Sequence, residues 1–317
     1  MLRGLLRVPD GATAARRLPV IVHGPGWLGL AGAAHYARYH EAFVARGFAV
    51  LAFDYAGSGR SDGDPGWLLP SEQIRDIQAA ISAVEDRALL DASRIGVFGM
   101  GGTGAGNAIA AAARTPSVRC IVAYHVVADG SDWLKRMRTE REWAAFLARV
   151  AADRTRRERG EPGEMIDPRT ELMVDTAGRR AHASKRDVDA RLPARFHLAS
   201  ADDLLAYRPI DEIVGLARPL PLLVATVAGD TVTPEDHALA VFERAAAPKR
   251  LVRICGVGHY EADARCFDAL ARQFADWFER WLAPVGPRKP DVSQGAPDPG
   301  VAAEAEVVEI DAAEVPA

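Results

Sequence analysis

The sequence of 317 residues has little cysteine and no marked excess of either charge. Its three cysteines, Cys120, Cys255 and Cys266, form no C-x-x-C pair, which argues against both a zinc site and a disulfide framework. The formal net charge of −4 offers no concentrated basic face for nucleic acid. We therefore expect reduced thiols, a cytoplasmic location and a small-molecule ligand, with no nucleic-acid partner.

Long apolar runs are also missing. The segment from Met1 to Val8 is too short and too interrupted by charge for a signal sequence, and no later run approaches the length of a membrane span. The eight histidines never take the H-x-x-x-H spacing of a helical metal site. These absences predict no membrane partner, no metal and no cofactor.

The sequence does contain a repeated alternation of apolar strands and amphipathic helices. Apolar runs at 18–22 and 49–53 are typical of buried strands, and Ser71 begins a helix whose apolar positions 74, 77, 81 and 84 share one face. The last strand of this kind is expected at 251–255. The pattern predicts an α/β fold, with a mostly parallel sheet, helices on both faces and ligands beyond the carboxyl ends of the strands.

The strand signal is interrupted once and ends before the C-terminus. Residues 1–130 and 217–283 form the expected α/β core, and the charged helical text of 131–216 predicts an inserted lid. Residues 284–317 are rich in proline, alanine and acidic residues without a period, which predicts a disordered acidic tail. The oligomeric state stays open, with a homodimer as one alternative.

The lid sequence is rich in arginine, which bears on the charge of the substrate. An anionic substrate or leaving group would be bound by one or two of these residues, while the alternative is a solvated face paired with Glu140, Glu142 and Glu158. The arginines are Arg136, Arg138, Arg141, Arg154, Arg156, Arg157 and Arg159.

A glycine-rich turn follows the strand predicted at 95–98. In the pattern G-x-S-x-G, a strained strand-to-helix turn lifts a nucleophilic serine above the sheet. Here Gly99 fits the first glycine, but Gly101 occupies the position of the serine. The turn therefore has the form of a nucleophile elbow without a nucleophile.

Several other motifs lie in the order that such a fold requires. They are His23-Gly24-Pro25-Gly26 after one strand, the segment 53–61 after the next, Asp230 after a later strand and His259 after the last. With these motifs, residues 18–130 and 217–283 resemble an α/β-hydrolase of the dienelactone hydrolase and acetyl-xylan-esterase-like kind.

The resemblance implies roles for particular residues. Asp230 corresponds to the acid and His259 to the general base of the family's triad, while Gly101 replaces the nucleophile. The family's oxyanion loop is altered as well, because Pro25 has no N–H to donate, although a loop shifted by one residue would present Gly26 or Trp27 instead.

Other groups are weaker candidates for the nucleophile or the pocket. Thr103 should lie in the first helical turn with its hydroxyl below the pocket, and Cys255 is expected to be a small core residue. Asp54 and Asp62 are expected to cap turns. Pocket or oxyanion-region candidates are Gly24, Pro25, Gly26, Trp27, Gly102, Tyr124 and Trp133, followed by His125, Asp129 and Tyr260 as further polar candidates.

A histidine oriented by a carboxylate remains a general base without a nucleophile. We therefore predict proton abstraction in a lyase reaction, such as β-elimination of acetate, for which acetate-eliminating α/β-hydrolase-like enzymes of tetronate and polyketide pathways are the implied setting. The alternatives are a hydrolase in which His259 activates water on an ester or lactone, and a non-catalytic small-molecule binder.

Overall fold

The computed structural model describes residues 1–174, 191–214, 216, 218–284 and 304–315. Ten strands are found there: β1 (Arg3–Arg7), β2 (Leu18–Gly24), β3 (Ala49–Asp54), β4 (Leu90–Met100), β5 (Val118–Tyr124), β6 (Met165–Ile166), β7 (Phe196–His197), β8 (Leu222–Val227), β9 (Lys249–Cys255) and β10 (Ala305–Asp311). Eight of them form one sheet in the order β1-β3-β2-β4-β5-β8-β9-β10, and β6 pairs with β7 separately. Only β1 runs antiparallel within the large sheet, which confirms the predicted mostly parallel arrangement.

The helices lie between these strands, as the alternation predicts. They are α1 (Ala34–Ala45), α2 (Pro70–Glu85), α3 (Gly102–Ala113), α4 (Gly130–Arg136), α5 (Glu140–Glu158), α6 (Ser200–Ala206), α7 (Pro209–Ile213), α8 (Glu235–Arg244), α9 (Ala262–Arg265) and α10 (Phe267–Leu282), with a short π-helical turn at Pro168–Leu172. None of the described helices is long and apolar enough to cross a membrane.

The sheet separates two hydrophobic cores. Along β2, the side chains of Val20 and Val22 belong to the core under α2 and α3, while Ile21 belongs to the core under α1 and α10. Alternate side chains of a strand point to opposite faces, so a strand buried on both faces must be apolar throughout. This requirement explains the unbroken apolar runs in the sequence.

Small residues let α3 pack directly behind the end of β4. A β-carbon added at Gly99 would lie 2.5 Å from the β-carbon of Ala108 and 2.5 Å from the carbonyl oxygen of Gly104. Because no side chain fits between the strand and this helix, the N-terminus of α3 is held close above the sheet. The turn between β4 and α3 is therefore fixed by backbone contacts.

Four of the seven arginines named for the expected lid form ion pairs, and their partners are other than the predicted glutamates. Ion pairs join Arg136 to Asp132 and Asp236, Arg154 to Asp202, Arg156 to Asp153 and Glu164, and Arg157 to Asp153 and Asp202. Glu142 instead forms a capping box with Thr139 at the start of α5. Residues 175–190, 215 and 217 of the same region lie outside the described residues.

The expectation of a disordered tail is wrong for residues 304–315. Residues 305–311 form β10, which extends the sheet by pairing in parallel with β9. Arg250 bonds Glu306 at 2.6 Å, and Arg253 bonds Glu309 at 3.3 Å. The acidic residues that suggested disorder are thus the partners of arginines on the neighbouring strand.

Substitutions at Ile310 and Val307, which both lie on β10, test the placement of this strand. Ile310 is 8% exposed and packs into the core, whereas Val307 is 60% exposed. We expect Ile310→Ala to lower the free energy of unfolding by about 2 kcal/mol, and Val307→Ala to change it by less than about 0.5 kcal/mol. Urea titration of both variants measures this difference, and equal effects would contradict the pairing of β10.

Candidate active site

The strand-to-helix turn at Gly101 lies at the carboxyl end of the sheet. Gly101 has φ of 74° and ψ of 136°, a backbone conformation that favours glycine, and α3 begins at the next residue. Its N–H donates to the carbonyl oxygen of Tyr124 at 2.8 Å. A β-carbon added at Gly101 would have no described atom within 4 Å, so the space above the turn is open.

Asp230 lies just after β8 and is almost fully buried. Its Oδ1 accepts the backbone N–H groups of Val232 and Thr233, at 2.7 and 3.2 Å. Its Oδ2 accepts the hydroxyl of Thr233 at 2.9 Å. Burial alone would raise the pKa of Asp230, but hydrogen bonds from His125 and His259 outweigh it and hold the pKa well below its usual range. The carboxylate is therefore ionised at neutral pH.

His259 is joined to this carboxylate. Its Nδ1 lies 2.6 Å from Oδ2 of Asp230, and the side chain remains 15% exposed. Within the described part of the chain, its hydrogen bonds all use Nδ1, so Nε2 is available. Burial lowers the pKa of His259 below the ordinary 6.5, His125 lowers it further, and Asp230 opposes both. A neutral imidazole with a free Nε2 is the form that accepts a proton.

A second histidine shares the carboxylate. Nδ1 of His125 lies 3.4 Å from Oδ2 of Asp230, and its ring centroid lies 4.1 Å from that of His259. Sequence reasoning ranked His125 low and missed Thr233. The available signal was position, since His125 directly follows β5 and Thr233 lies three residues beyond Asp230.

The loop after β2 covers the turn at Gly101. Gly26 donates its N–H to the hydroxyl of Tyr36 at 2.9 Å, so the loop shift considered for Gly26 would cost this bond. A β-carbon at Gly26 would approach the carbonyl oxygen of Met100 to 2.3 Å. Pro25 has no N–H to offer. Neither Pro25 nor Gly26 thus presents a free donor to a developing oxyanion.

The aromatic pocket candidates occupy different depths. Trp27 contacts Gly102 and meets Trp133 edge to face at 5.4 Å between ring centroids. Trp133 donates its indole N–H to the carbonyl oxygen of Val232, next to Asp230. Tyr124 is fully buried and stacks behind His125 at 3.9 Å. The two tryptophans lie beside the site, and Tyr124 lies beneath it.

The remaining candidates from the sequence pack against neighbouring residues or cap turns and helices. The β-carbon position of Gly24 faces the hydroxyl of Tyr55 at 2.6 Å, away from open space. Asp54 accepts the N–H groups of Ala31 and Arg60, as expected of a turn residue. Asp129 caps α4 by accepting the N–H of Asp132. The ring of Tyr260 packs against that of its neighbour His259.

Residues 4–258 match the family described as X-Pro dipeptidyl-peptidase (S15 family). The chain belongs to the S15 family. An uncharacterized 31.7 kDa protein of the traX-finO intergenic region of Escherichia coli is 27% identical over 278 residues, which cover 87% of this chain and 94% of that protein.

Two further similarities are informative. The acyltransferase drtE of Aspergillus calidoustus is 24% identical over 290 residues, which cover 84% of this chain and 88% of the relative. The crystal structure of the alpha/beta hydrolase GrgF from Penicillium sp. sh18 superposes with a TM-score of 0.74 at 21% identity, covering 89% of this chain and 94% of GrgF. This S15 family member therefore has the α/β-hydrolase fold and is an α/β-hydrolase-like enzyme.

The site residues of this family member include the types that bind metals. In the part of the chain that the structure describes, His125, Asp230 and His259 bring three nitrogen or oxygen atoms within 4.8 Å of one another. Both Nδ1 atoms and both carboxylate oxygens already take part in hydrogen bonds within the site. We assign no metal to these residues.

The His-Gly motif contributes a buried histidine pair beneath the site. Nδ1 of His23 lies 2.8 Å from Nε2 of His40. Burial lowers the pKa of His23 well below 6.5, and burial lowers the pKa of His40 to about 3. Both imidazoles are therefore neutral in the folded protein at neutral pH.

This pair predicts acid sensitivity. Below pH 6.5 the unfolded chain binds a proton at each histidine while the folded chain does not, so stability is lost as the pH falls. For His40 alone we expect a loss of about 2 kcal/mol between pH 7 and pH 5. Urea titrations at both pH values measure it, and the loss should be smaller in His40→Gln, which does not titrate. An equal loss in that variant would contradict the assignment.

Proposed function

We propose that this protein is a lyase in which His259, oriented by Asp230, removes a proton from a small-molecule substrate. The observation that carries the proposal is the 2.6 Å contact between Nδ1 of His259 and Oδ2 of Asp230, with Nε2 left available. The contact fixes the tautomer that can act as a base and stabilises the cation that forms. This pair is the part of the acyl-transfer site that the chain retains.

The neighbouring features argue against a covalent acyl-enzyme. Gly101, which we propose stands at the position of the family's nucleophile, has no side chain. Thr103 is a poor substitute, because its hydroxyl is fully buried and has no partner among the described residues. Pro25 has no N–H, and the N–H of Gly26 is bound to Tyr36. A tetrahedral oxyanion would lose the donors at these two positions, and of the loop candidates only the N–H of Trp27 would remain.

One anion-stabilising element remains. Gly102 begins α3, and the first N–H groups of a helix have no partners within the helix. The same end carries the positive end of the helix dipole, which favours negative charge. An enolate oxygen or a departing carboxylate placed above Gly101 would be stabilised there. The site therefore suits a reaction that develops negative charge without acylating the protein.

The concrete reaction is a β-elimination. Nε2 of His259 takes the proton from the carbon next to a carbonyl, the electrons of that C–H bond form a C=C bond, and the C–O bond to the leaving group breaks. A carboxylate such as acetate leaves with the bonding electron pair, and the imidazolium returns its proton to solvent. Loss of acetate from a natural-product intermediate is the form we propose, with a cytoplasmic enzyme and a substrate that carries an acyl ester. The name of the acyltransferase relative supports an acyl-bearing substrate.

Ester or lactone hydrolysis by activated water is the second candidate. The open space above Gly101 would hold a water molecule, and membership of the S15 family favours hydrolysis. A non-catalytic binder is a weaker alternative, because binding alone does not require an ionised carboxylate hydrogen-bonded to an imidazole. Elimination and hydrolysis differ in which C–O bond breaks, and this difference can be measured.

A fluorophosphonate probe tests the absence of a nucleophile. We expect no covalent labelling of the native protein, because no hydroxyl lies at the turn between β4 and α3. Intact-protein mass spectrometry after incubation with the probe provides the measurement, with a serine esterase as the positive control. An adduct at Thr103 or at any other hydroxyl would contradict a site without a nucleophile.

Replacing the base tests its role, and isotopic oxygen distinguishes the two reactions. With a panel of β-acetoxy ketones and lactones, His259→Ala should lower kcat/KM by about 100-fold or more. In water labelled with oxygen-18, elimination releases unlabelled acetate, whereas hydrolysis at the acyl carbon places one labelled oxygen in it.

The matched control is His197→Ala, since His197 stacks on Trp67 outside the site. This variant should keep the activity of the native protein. Retained activity in His259→Ala would refute the base assignment. Acetate that carries oxygen-18 would contradict elimination and support hydrolysis at the acyl carbon.

A further inference from the structure

We propose that His125 is a positioning residue, which holds the Asp230 carboxylate in place and thereby sets the tautomer and basicity of His259. The kinetic effect of this positioning rests on the proposed function, whereas the positioning itself is argued from the contacts of Asp230. Nothing in the sequence pattern of an acid and a base requires a second imidazole on the same carboxylate.

Three polar groups surround Oδ2 of Asp230. Nδ1 of His259 lies at 2.6 Å, the hydroxyl of Thr233 at 2.9 Å and Nδ1 of His125 at 3.4 Å. Nδ1 of His125 is also 3.5 Å from the hydroxyl oxygen of Thr233. The three come from different segments, namely the loop after β9, the loop after β8 and the end of β5. His125 therefore joins the carboxylate, which follows β8, to the end of the neighbouring strand β5.

The backbone of His125 is left-handed. Its φ is 60°, and within the described ranges only one other non-glycine residue, Leu28, has a positive φ. A left-handed backbone is unfavourable for a residue with a β-carbon and persists where the surrounding structure enforces it. Here the backbone is held by the N–H of His125, which donates to the carbonyl oxygen of Ala225 on β8 at 2.9 Å.

The ring of His125 is buried. Its side chain is 3% exposed, and its Nε2 has no hydrogen-bond partner among the described residues. A buried polar atom without a partner is unfavourable, so burying the ring of His125 against Asp230 costs free energy. Because Nε2 is sealed from solvent, His125 does not exchange protons with a substrate and acts through Asp230.

The contact of His125 with Asp230 changes the pKa of His259 in one direction, which is downward. A donor at Oδ2 reduces the negative charge available to stabilise the His259 cation, and a proton on His125 would repel that cation directly. Either effect keeps His259 neutral to lower pH. The titratable groups around His259 are Asp230 on the loop after β8, His125 and Tyr124 at the end of β5, Asp263 in α9, and the neighbours Tyr260 and Glu261.

The test is the titration of His259 in full-length, nitrogen-15-labelled protein, followed by two-bond proton–nitrogen correlation NMR. Asparagine tolerates a left-handed backbone, so His125→Asn removes the imidazole without adding strain. We expect the pKa of His259 to rise by about half a unit or more. The acid limb of the pH–activity profile should move to higher pH by the same amount.

Two further variants support the interpretation. Leu28→Asn is the matched control, because it changes the other left-handed position without contacting Asp230, and it should leave the pKa of His259 unchanged. His125→Gly serves if the asparagine variant fails to fold, since glycine adopts this φ freely. An unchanged pKa and tautomer of His259 in these His125 variants would reduce His125 to a packing residue. The NMR result does not need a substrate, so it separates failure of this inference from failure of the proposed lyase reaction.

Discussion

The site depends on one buried carboxylate. Oδ1 of Asp230 accepts two backbone N–H groups. Its Oδ2 accepts the Thr233 hydroxyl and lies 2.6 Å from Nδ1 of His259 and 3.4 Å from Nδ1 of His125. An ionised carboxylate is stable away from water only when its oxygens are occupied in this way. Because the donors come from the loops after β5, β8 and β9, the carboxylate also fixes the relative positions of three strand ends. The orientation of His259, and hence any proton transfer, follows from that arrangement.

Much of this arrangement could be predicted from local sequence. The alternation of apolar runs and amphipathic helices indicates the parallel sheet, and Asp230 and His259 stand out because each lies in the loop that follows a strand. His125 also follows a strand, but nothing near it in sequence reveals that its ring turns toward Asp230, which depends on a left-handed backbone. The partner of the Gly26 N–H is equally hidden, because Tyr36 reaches it from the next helix. These contacts join different segments of the chain, so no periodic pattern near either residue indicates them.

The C-terminal strand shows a different limit of sequence reasoning. Residues 305–311 alternate exposed and partly buried positions and are acidic, so in isolation they have the composition of a solvated segment. Their order comes from arginines on β9 and α10, which bond Glu306, Glu309 and Glu304. An edge strand stabilised by charge on its neighbour cannot be predicted from its own apolar content. Among the arginines of the expected lid, Arg154 likewise pairs with a residue of another element, Asp202 in α6.

The open space above Gly101 leaves room for a larger side chain. The β-carbon of a serine at this position would meet no described atom within 4 Å, and its cost would be the positive φ that nucleophile turns ordinarily impose. Gly101→Ser would therefore add a hydroxyl at the carboxyl end of the sheet, where Asp230 and His259 also lie. Pro25 would still withhold a donor from the oxyanion. A side chain at position 101 and a backbone donor on the loop after β2 therefore depend on separate substitutions, and one can be restored without the other.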